Sequence, residues 1–588
     1  MFERSLTVRD SRGTAMFDLI IKGGRWFDGA GSPSAVRDLG VRAGRVAAVS
    51  AEPLPQAGCR RVLDAGGCWV LPGFLDVHTH YDVEVLQSPG LPESVRHGVT
   101  TVVLGNCSLS AVYCAADDAA DLFSRVEALP HAAVLDALKR HRSWSGADEY
   151  VRALLARPLG PNVAAFLGHS DLRAYVMGLG RAVGAGPASG RDLDRMAALL
   201  GRALDAGFLG LSTVTSTHCR LDGERFRSAR LPSTFAGWRE YRVLHRVLRE
   251  RGRVLQGAPG AARPWDSLRF FLASAGLRVR PRLKTSLLPA LDSGTSPALA
   301  RLTTPVNRLL RAEVRWQHLP VPYELYADGI DLAIFEEFGA TAAALHLRQE
   351  AERARLLSRR AYRRWFRRDY DSRFRHLYDA EIVSCPEEGV AGRSFGEVAH
   401  ARGRHPAETF LDLVVAHGPR LRWRTTIAGH RPHVLDRLAG DPAVHLGFAE
   451  SGAHLRNMAH YNVPLRLLQR VVAAQAAGRP FMTAEQAVHR LTGELADWFG
   501  LRAGTLRAGD RADLVVVDPA GLDDRLAGYH EAPMPDLGGV RRMVNRSDAA
   551  VRAVCVAGEP VFEDGAFAAG YGSARRTGTF LGADRRCA

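Results

Sequence analysis

The sequence predicts an α/β protein: a TIM-type (β/α)8 barrel carrying a small β-sandwich built from both chain ends. Three observations predict it. Short apolar, Gly-punctuated runs of the same character occur at both ends of a 588-residue chain. Between them, eight apolar runs alternate with helical segments. Finally, several of those runs end on histidine, cysteine or an acid, and the C-terminal ends of barrel strands are where such folds place their chemistry.

The first of the terminal runs are FDLIIKGGRWFDGAG (17–31), DLGVRAGRVAAVS (38–50) and RRVLDAGGCWVLPG (60–73). β-Branched residues broken by glycine read as antiparallel strands and hairpins. ADLVVVDPA (512–520) and VRAVCVAGEPVFEDG (551–565) repeat the pattern at the far end. The boundaries expected are residues 16–71 with 501–588 for the sandwich and 72–500 for the barrel. Residues 1–15, which precede Met16, are expected to be an extension. The barrel strands are expected in GFLDVHTH, TTVVLGNC, VAAFLGHS, FLGLSTV, RVLQGAP, LRVRPRL, RWRTTIAG and VHLGFAESGAH. Residues 263–375 are longer and less regular than a barrel needs, so an inserted lid or helical subdomain is expected there.

Composition narrows the function. With 46% apolar and 24% charged residues the chain reads as an ordinary globular protein. No run of 18 apolar residues suggests a membrane span, and the charged N-terminus lacks a signal core, so a cytoplasmic protein is expected. Eight scattered cysteines without a CxxC pair argue for reduced thiols. The net charge of +15 invites a nucleic-acid reading, but only Lys22, Lys139 and Lys284 are lysines. Such an arginine skew points to coding bias more than to a binding face. The densest run, Arg353 to Arg375, interleaves arginine with aromatics, yet Glu350, Glu352, Asp369 and Asp371 accompany it as on a solvated helix. A small acylated molecule is the expected partner, with neither nucleic acid nor membrane; the oligomeric state is not legible.

The chemistry centres on Asp76-Val77-His78-Thr79-His80. Residues two apart on a strand share a side, so two imidazoles converge there, which is half of a divalent metal site. Hydrogen-bonded histidines without a metal are the alternative. Cys107 ends the next strand, and its thiolate would be a good zinc ligand; a small buried hydrophobe is the competing role. Glu450 ends the last strand ahead of Ser451-Gly452-Ala453-His454. A carboxylate there can bind metal, take a proton from attacking water and deliver it to a leaving nitrogen. His169, His218 and His454 follow strands and suit substrate or supporting roles, although loop histidines are more often structural. Arg173 and Arg456 could hold a substrate carboxylate.

Together PGFLDVHTHYD, HGVTTVVLGNC, NVAAFLGHSDLR, GFLGLSTVTSTH, LGFAESGAHLRNMAHYN and LRAGTLRAGDRADLVVVD resemble the N-acyl-D-amino-acid deacylase (D-aminoacylase) family of the amidohydrolase superfamily. The likeness runs from about Phe17 to Gly565. It implies a β-sandwich with a TIM-like barrel and zinc-dependent hydrolysis of N-acyl-D-amino acids, with one or two Zn2+ ions. His78, His80 and Cys107 fall on its metal positions. Two features depart from the family. Its acid after the eighth strand is normally Asp, in a pattern like SDxGAH, where this chain has Glu450. Its short members also carry histidines after strands five and six, where this chain offers Gln256 and Lys284. Two other readings therefore stand beside the deacylase. One is a diverged tailoring enzyme that opens a cyclic amide or forms a C–N bond in a biosynthetic pathway; the other is a non-catalytic binding descendant of the fold.

Overall fold

The computed structural model describes residues 17–584, apart from 185, 218–219, 261–263, 277–279, 295, 338, 374–376 and 378. The expected extension, residues 1–15, lies outside the described residues.

The chain ends share one nine-stranded sheet. Its seam pairs Trp69–Pro72 antiparallel with Leu514–Val517, joining sequence more than 400 residues apart. Alternation along these strands gives the sheet two buried faces. Leu19, Ile21, Leu39, Val516, Ala553 and Cys555, from strands of both chain ends, form a core of their own on one face. Leu71, Val515, Val517 and Val554 point the other way, into the main core shared with the barrel.

The barrel has eight parallel strands. They are β1 (Phe74–Asp76), β2 (Val99–Leu104), β3 (Asn162–Ala165, resumed at Leu167–Gly168), β4 (Gly210–Val214), β5 (Val254–Ala258), β6 (Lys284–Ala290), β7 (Glu313–His318) and β8 (Val444–Leu446). Pairing runs β1-β2-β3 and then β3 through β8 in order. Phe166 interrupts β3, but its N–H still donates to Leu104 O. Closure comes from Thr79 and Ser451, which form a parallel bridge just beyond β1 and β8. The His80 N–H donates to Ser451 O at 2.7 Å. Ring closure therefore falls at the two segments that bear His80 and Glu450.

Two strands differ from expectation. LRVRPRL is not β6, which begins at Lys284. Alternating Arg278, Arg280 and Arg282 imitate a half-exposed strand, whereas a strand covered on both faces favours a compact apolar run such as TSLLPA. Arg280 instead donates to Ala275 O, just beyond the preceding helix. RWRTTIAG is a strand, Arg422–Ala428, but it lies in a three-stranded antiparallel sheet with Tyr323–Asp328 and Glu381–Ser384. The true β7, EVRWQH, reads as amphipathic because Arg315 and Gln317, bonded to Glu494 and His78, alternate with the buried Val314 and Trp316.

Missing β7 also misplaced the insertion. Residues 264–318 are regular barrel, with helices Pro264–Ser274 and Ser296–Leu310 flanking β6. The excursion lies between β7 and β8 and carries its own core, including Leu325, Phe335, Phe366, Phe410 and Trp423. Its arginine-rich helix, Arg360–Arg373, is tied down by Arg363, which bridges Glu408 and Asp412 at 2.7 Å each. Among the described residues no helix is long and apolar enough to cross a membrane.

Candidate metal centre

His78, His80, Cys107 and Glu450 meet at the C-terminal mouth of the barrel. Their ligand atoms all lie within 4.8 Å of one another. β1 runs straight into His78 and His80, while Cys107 follows β2 and Glu450 follows β8. Both of the latter sit in left-handed backbone, Cys107 at φ 49° and Glu450 at φ 54°. Such conformations cost on the order of 1–3 kcal/mol each and persist where surrounding structure enforces them. The enforcement is visible. Asn106 Nδ2 donates to Thr79 O and Val103 O at 3.0 and 2.7 Å, and Gln256 Oε1 accepts from the Cys107 N–H at 3.2 Å. Asp76 accepts from the Ser451 hydroxyl at 2.6 Å and from the His78 N–H at 3.2 Å, tying β1 to the Glu450 loop. Burial pushes the Asp76 carboxyl up to about 6, against these bonds. Gly452, at φ +88°, has no room for a side chain: a Cβ would stand 2.8 Å from the Tyr81 ring and 2.9 Å from His80 O.

The donor set fits a divalent metal. His78 Nε2 lies 3.3 Å from Cys107 Sγ and 3.3 Å from Glu450 Oε1, and His80 Nε2 is 3.4 Å from Glu450 Oε2. A tetrahedral ion with bonds of ~2.1 Å separates its ligands by ~3.4 Å, and imidazole, thiolate and carboxylate are the zinc donors. His80, 1% exposed, has Glu450 alone beside its Nε2, an arrangement that burial penalises unless something more is bound there. His78 is presented in one tautomer, its Nδ1–H donating to Gln317 Oε1 at 2.7 Å, which leaves Nε2 free to ligate. Although burial opposes ionisation of Glu450, His78 and His80 hold its carboxyl well below the usual range.

The remaining expected residues divide. His454 stays beside the cluster in left-handed backbone (φ 47°), its N–H donating to Val126 O at 2.8 Å. Burial pushes its imidazole down to about 4, so it is neutral near pH 7. His169 is fully buried, with Nδ1 2.9 Å from Thr213 Oγ1 and Nε2 2.8 Å from Glu240 Oε1. Arg173 bonds the other oxygen of Glu240, so His169, Glu240 and Arg173 form a closed internal triad. Arg456 is spent on Asp328 and Glu531 at 2.9 and 3.0 Å. His218 lies outside the described residues. Lys284 opens β6 at the opposite end of the barrel, its ammonium 5.3 Å from the Trp498 ring centre. Gln317 was missed because it sits on the strand that sequence reasoning did not recognise.

An apolar wall completes the mouth. Val214, Leu288, Leu319, Val321, Phe448 and Val463 pack in one cluster with Cys107. They come from the ends of β4, β6, β7 and β8 and from the helix after β8, so half the rim is hydrocarbon.

Comparison with known proteins agrees with this architecture. Residues 61–241 match the amidohydrolase family. An uncharacterized protein of Mycobacterium tuberculosis is 53% identical over 593 residues, covering 98% of this chain and 97% of the relative. A D-aminoacylase of Alcaligenes xylosoxydans xylosoxydans is 36% identical over 203 residues, 34% of this chain and 37% of that protein. Among solved structures, D-aminoacylase superposes with a TM-score of 0.61 at 23% identity, covering 96% of this chain and 99% of that one. The N-acyl-D-glutamate deacylase of Bordetella bronchiseptica, solved with zinc and a phosphonate inhibitor, gives 0.61 at 24% identity, covering 97% and 100%. The shared barrel and β domain, together with these sequence matches, show an amidohydrolase fold similar to that of the N-acyl-D-amino-acid deacylases (D-aminoacylases).

Proposed function

We propose that this protein hydrolyses the amide bond of an N-acyl-D-amino acid, or of a closely related acylated small molecule, using one zinc ion held by His78, His80 and Cys107, with Glu450 beside it as the acid–base group. The amidohydrolase match and the similarity to deacylases support the coarser statement, a metal-dependent hydrolase of carbon–nitrogen bonds. The substrate and the metal are the proposal. Its main support is the convergence of the four donor atoms within 4.8 Å at the mouth of the barrel.

A divalent ion bound there supplies Lewis acidity toward a carbonyl and toward water. The chain's own residues do the rest. Glu450 is ionised and only 11% exposed in its side chain, so it can accept the proton of an attacking water and return it to the departing nitrogen. Gln317 keeps His78 in the ligating tautomer. The apolar wall from Val214 to Val463 keeps water from the acyl side and suits a hydrocarbon acyl group or side chain.

The test pairs metal content with amine release. Purified wild type is expected to carry stoichiometric zinc, with His78→Ala and Cys107→Ala each losing it. The wild type should release amine from N-acyl-D-amino acids faster than from their L counterparts. Absence of metal after incubation with zinc would sink the metal assignment. Release from none of a broad N-acyl panel would sink the substrate.

A further inference from the structure

The arginines first considered for a substrate carboxylate are already committed, Arg173 to Glu240 and Arg456 to Asp328 and Glu531. Arg424, nearby, is bonded to Glu381 and Glu324. Arg466 is different. It lies in the first turn of the helix Val463–Ala476 and is 8% exposed. Its hydrogen bond runs from Nη1 to Tyr529 Oη at 3.4 Å, and among the described residues it forms no ion pair. The charge of Glu324 reaches Arg466, but no described carboxylate bonds it, and a buried guanidinium without a bonded counter-ion is costly. That cost makes sense where an anion arrives with the substrate.

His460 is the second observation. It is 2% exposed, and neither of its ring nitrogens has a hydrogen-bond partner. Its ring centre is 5.6 Å from Tyr323, which stands 6.2 Å from Phe448, which stands 5.2 Å from His78. Val463, at the start of the Arg466 helix, packs in the same cluster as Cys107 and Phe448. Val463 thus brings the start of the Arg466 helix to the metal centre, while two rings, Tyr323 and Phe448, link His460 to His78. Burial, with Arg466 adding to it, pushes the His460 pKa down to about 3 despite the opposing charge of Glu450. The ring is neutral and offers one N–H. The positive end of the helix dipole favours an anion at the same end.

We propose that Arg466 and His460, with the Tyr529 hydroxyl, form the receptor for the substrate's carboxylate, so that the enzyme selects N-acyl amino acids over their neutral esters. Arg466 supplies the charge, and His460 and Tyr529 supply further donors. The proposal rests on the amide-hydrolase reading for its kinetic signature, and a binding measurement separates the two.

The experiment compares N-acetyl-D-amino acids having apolar, polar and acidic side chains with their methyl esters. Wild type, Arg466→Gln, Arg466→Lys and His460→Asn are assayed for deacetylation, and binding of each acid and ester is followed by calorimetry. Truncating one partner of a buried charge pair costs enough for roughly a 30-fold or larger loss. The acid-to-ester ratio of kcat/KM is accordingly expected to exceed ~30 in wild type. In Arg466→Gln it should collapse toward unity through KM, and it should recover in part in Arg466→Lys. His460→Asn is expected to fall between. If Arg466→Gln slows acid and ester equally, or neither, the receptor is wrong while the hydrolase stands. If wild type cleaves nothing yet binds the acids in an Arg466-dependent way, the receptor stands and the hydrolase reading fails. Binding of acid and ester alike in wild type overturns the receptor whatever the turnover. Retained zinc and native circular dichroism in both Arg466 variants guard against misfolding as the cause.

Discussion

Gln317→Leu isolates the part of the metal centre that touches no metal. Gln317 is fully buried and accepts the His78 Nδ1–H at 2.7 Å, while its Nε2 donates to Ser286 Oγ at 3.2 Å. Leucine keeps most of the volume and removes the acceptor. The stranded imidazole N–H then costs about 1–3 kcal/mol. His78 can relieve that cost by moving the proton to Nε2, the atom that faces Cys107 and Glu450, and in that tautomer it cannot ligate. Loss of such a supporting bond typically weakens metal affinity by ~10–100-fold. By linkage, a 100-fold loss removes about 2.7 kcal/mol of zinc-dependent stabilisation at fixed free zinc. Competition against a chromophoric chelator gives the affinity, and thermal unfolding with and without zinc gives the stabilisation. Gln317→Glu, which offers the same nitrogen a stronger acceptor, is expected to retain affinity. Zinc affinity of Gln317→Leu within twofold of wild type would refute the idea that Gln317 sets the His78 tautomer.

Three further outcomes are expected. Arg173→Met leaves Glu240 buried with only His169 as partner, so chemical denaturation should show a loss of about 3–5 kcal/mol. Denaturation within 1 kcal/mol of wild type would mean that the triad is not structural. His318 is buried, its Nδ1–H bonded to Ala290 O at 2.6 Å, and burial lowers its pKa from 6.5 to about 4. As pH falls from 6.5 to 4 the unfolded chain takes up a proton that the folded one does not, so stability is lost across that window, by up to ~3 kcal/mol. In His318→Asn, whose amide can make the same bond, the stability gap to wild type should close toward pH 4; a gap independent of pH would refute the assignment. Glu450→Asp restores the family's usual acid but draws the carboxylate back by about an ångström, and a misplacement of that size can cost ~100-fold in rate. Undiminished kcat in Glu450→Asp would show that the loop, not the side-chain length, places the acid.

The metal ligands were legible because each ends an apolar run with a residue that an apolar run does not otherwise need. His78 and His80 follow PGFLD, Cys107 follows TTVVLG and Glu450 follows VHLGFA. Strand seven was illegible for the opposite reason. Its inward residues include Arg315, bonded at 2.7 Å to Glu494, and Gln317, bonded to His78. A strand whose polar side chains are satisfied inside a barrel has the periodicity of one half-exposed to water. The decoy, RWRTTIAG, shows the same alternation on the edge of the insertion's own core, with Trp423 fully buried. Arginine was uninformative by abundance. Nothing in the sequence separates Arg466, which forms no ion pair among the described residues, from Arg456 and Arg173, because the difference lies in which acids the fold brings within reach.

The position of the ligands along the barrel explains how the departures from the family pattern fit together. All four donors follow β8, β1 and β2, three neighbours in the closed sheet, and ring closure between Thr79 and Ser451 lies within that arc. The opposite arc, after β4, β6 and β7, ends in Val214, Leu288 and Leu319. Gln256 on β5 has been recruited as a brace, accepting the Cys107 N–H and donating to Asn106 Oδ1, so it steadies a ligand instead of being one. Among the described residues the donor set is confined to one arc, which suits the single ion proposed. It also accounts for the longer acid. Glu450 reaches His78 with one oxygen and His80 with the other, at 3.3 and 3.4 Å, and so joins from the β8 side a cluster to which no described residue of the far arc contributes a donor.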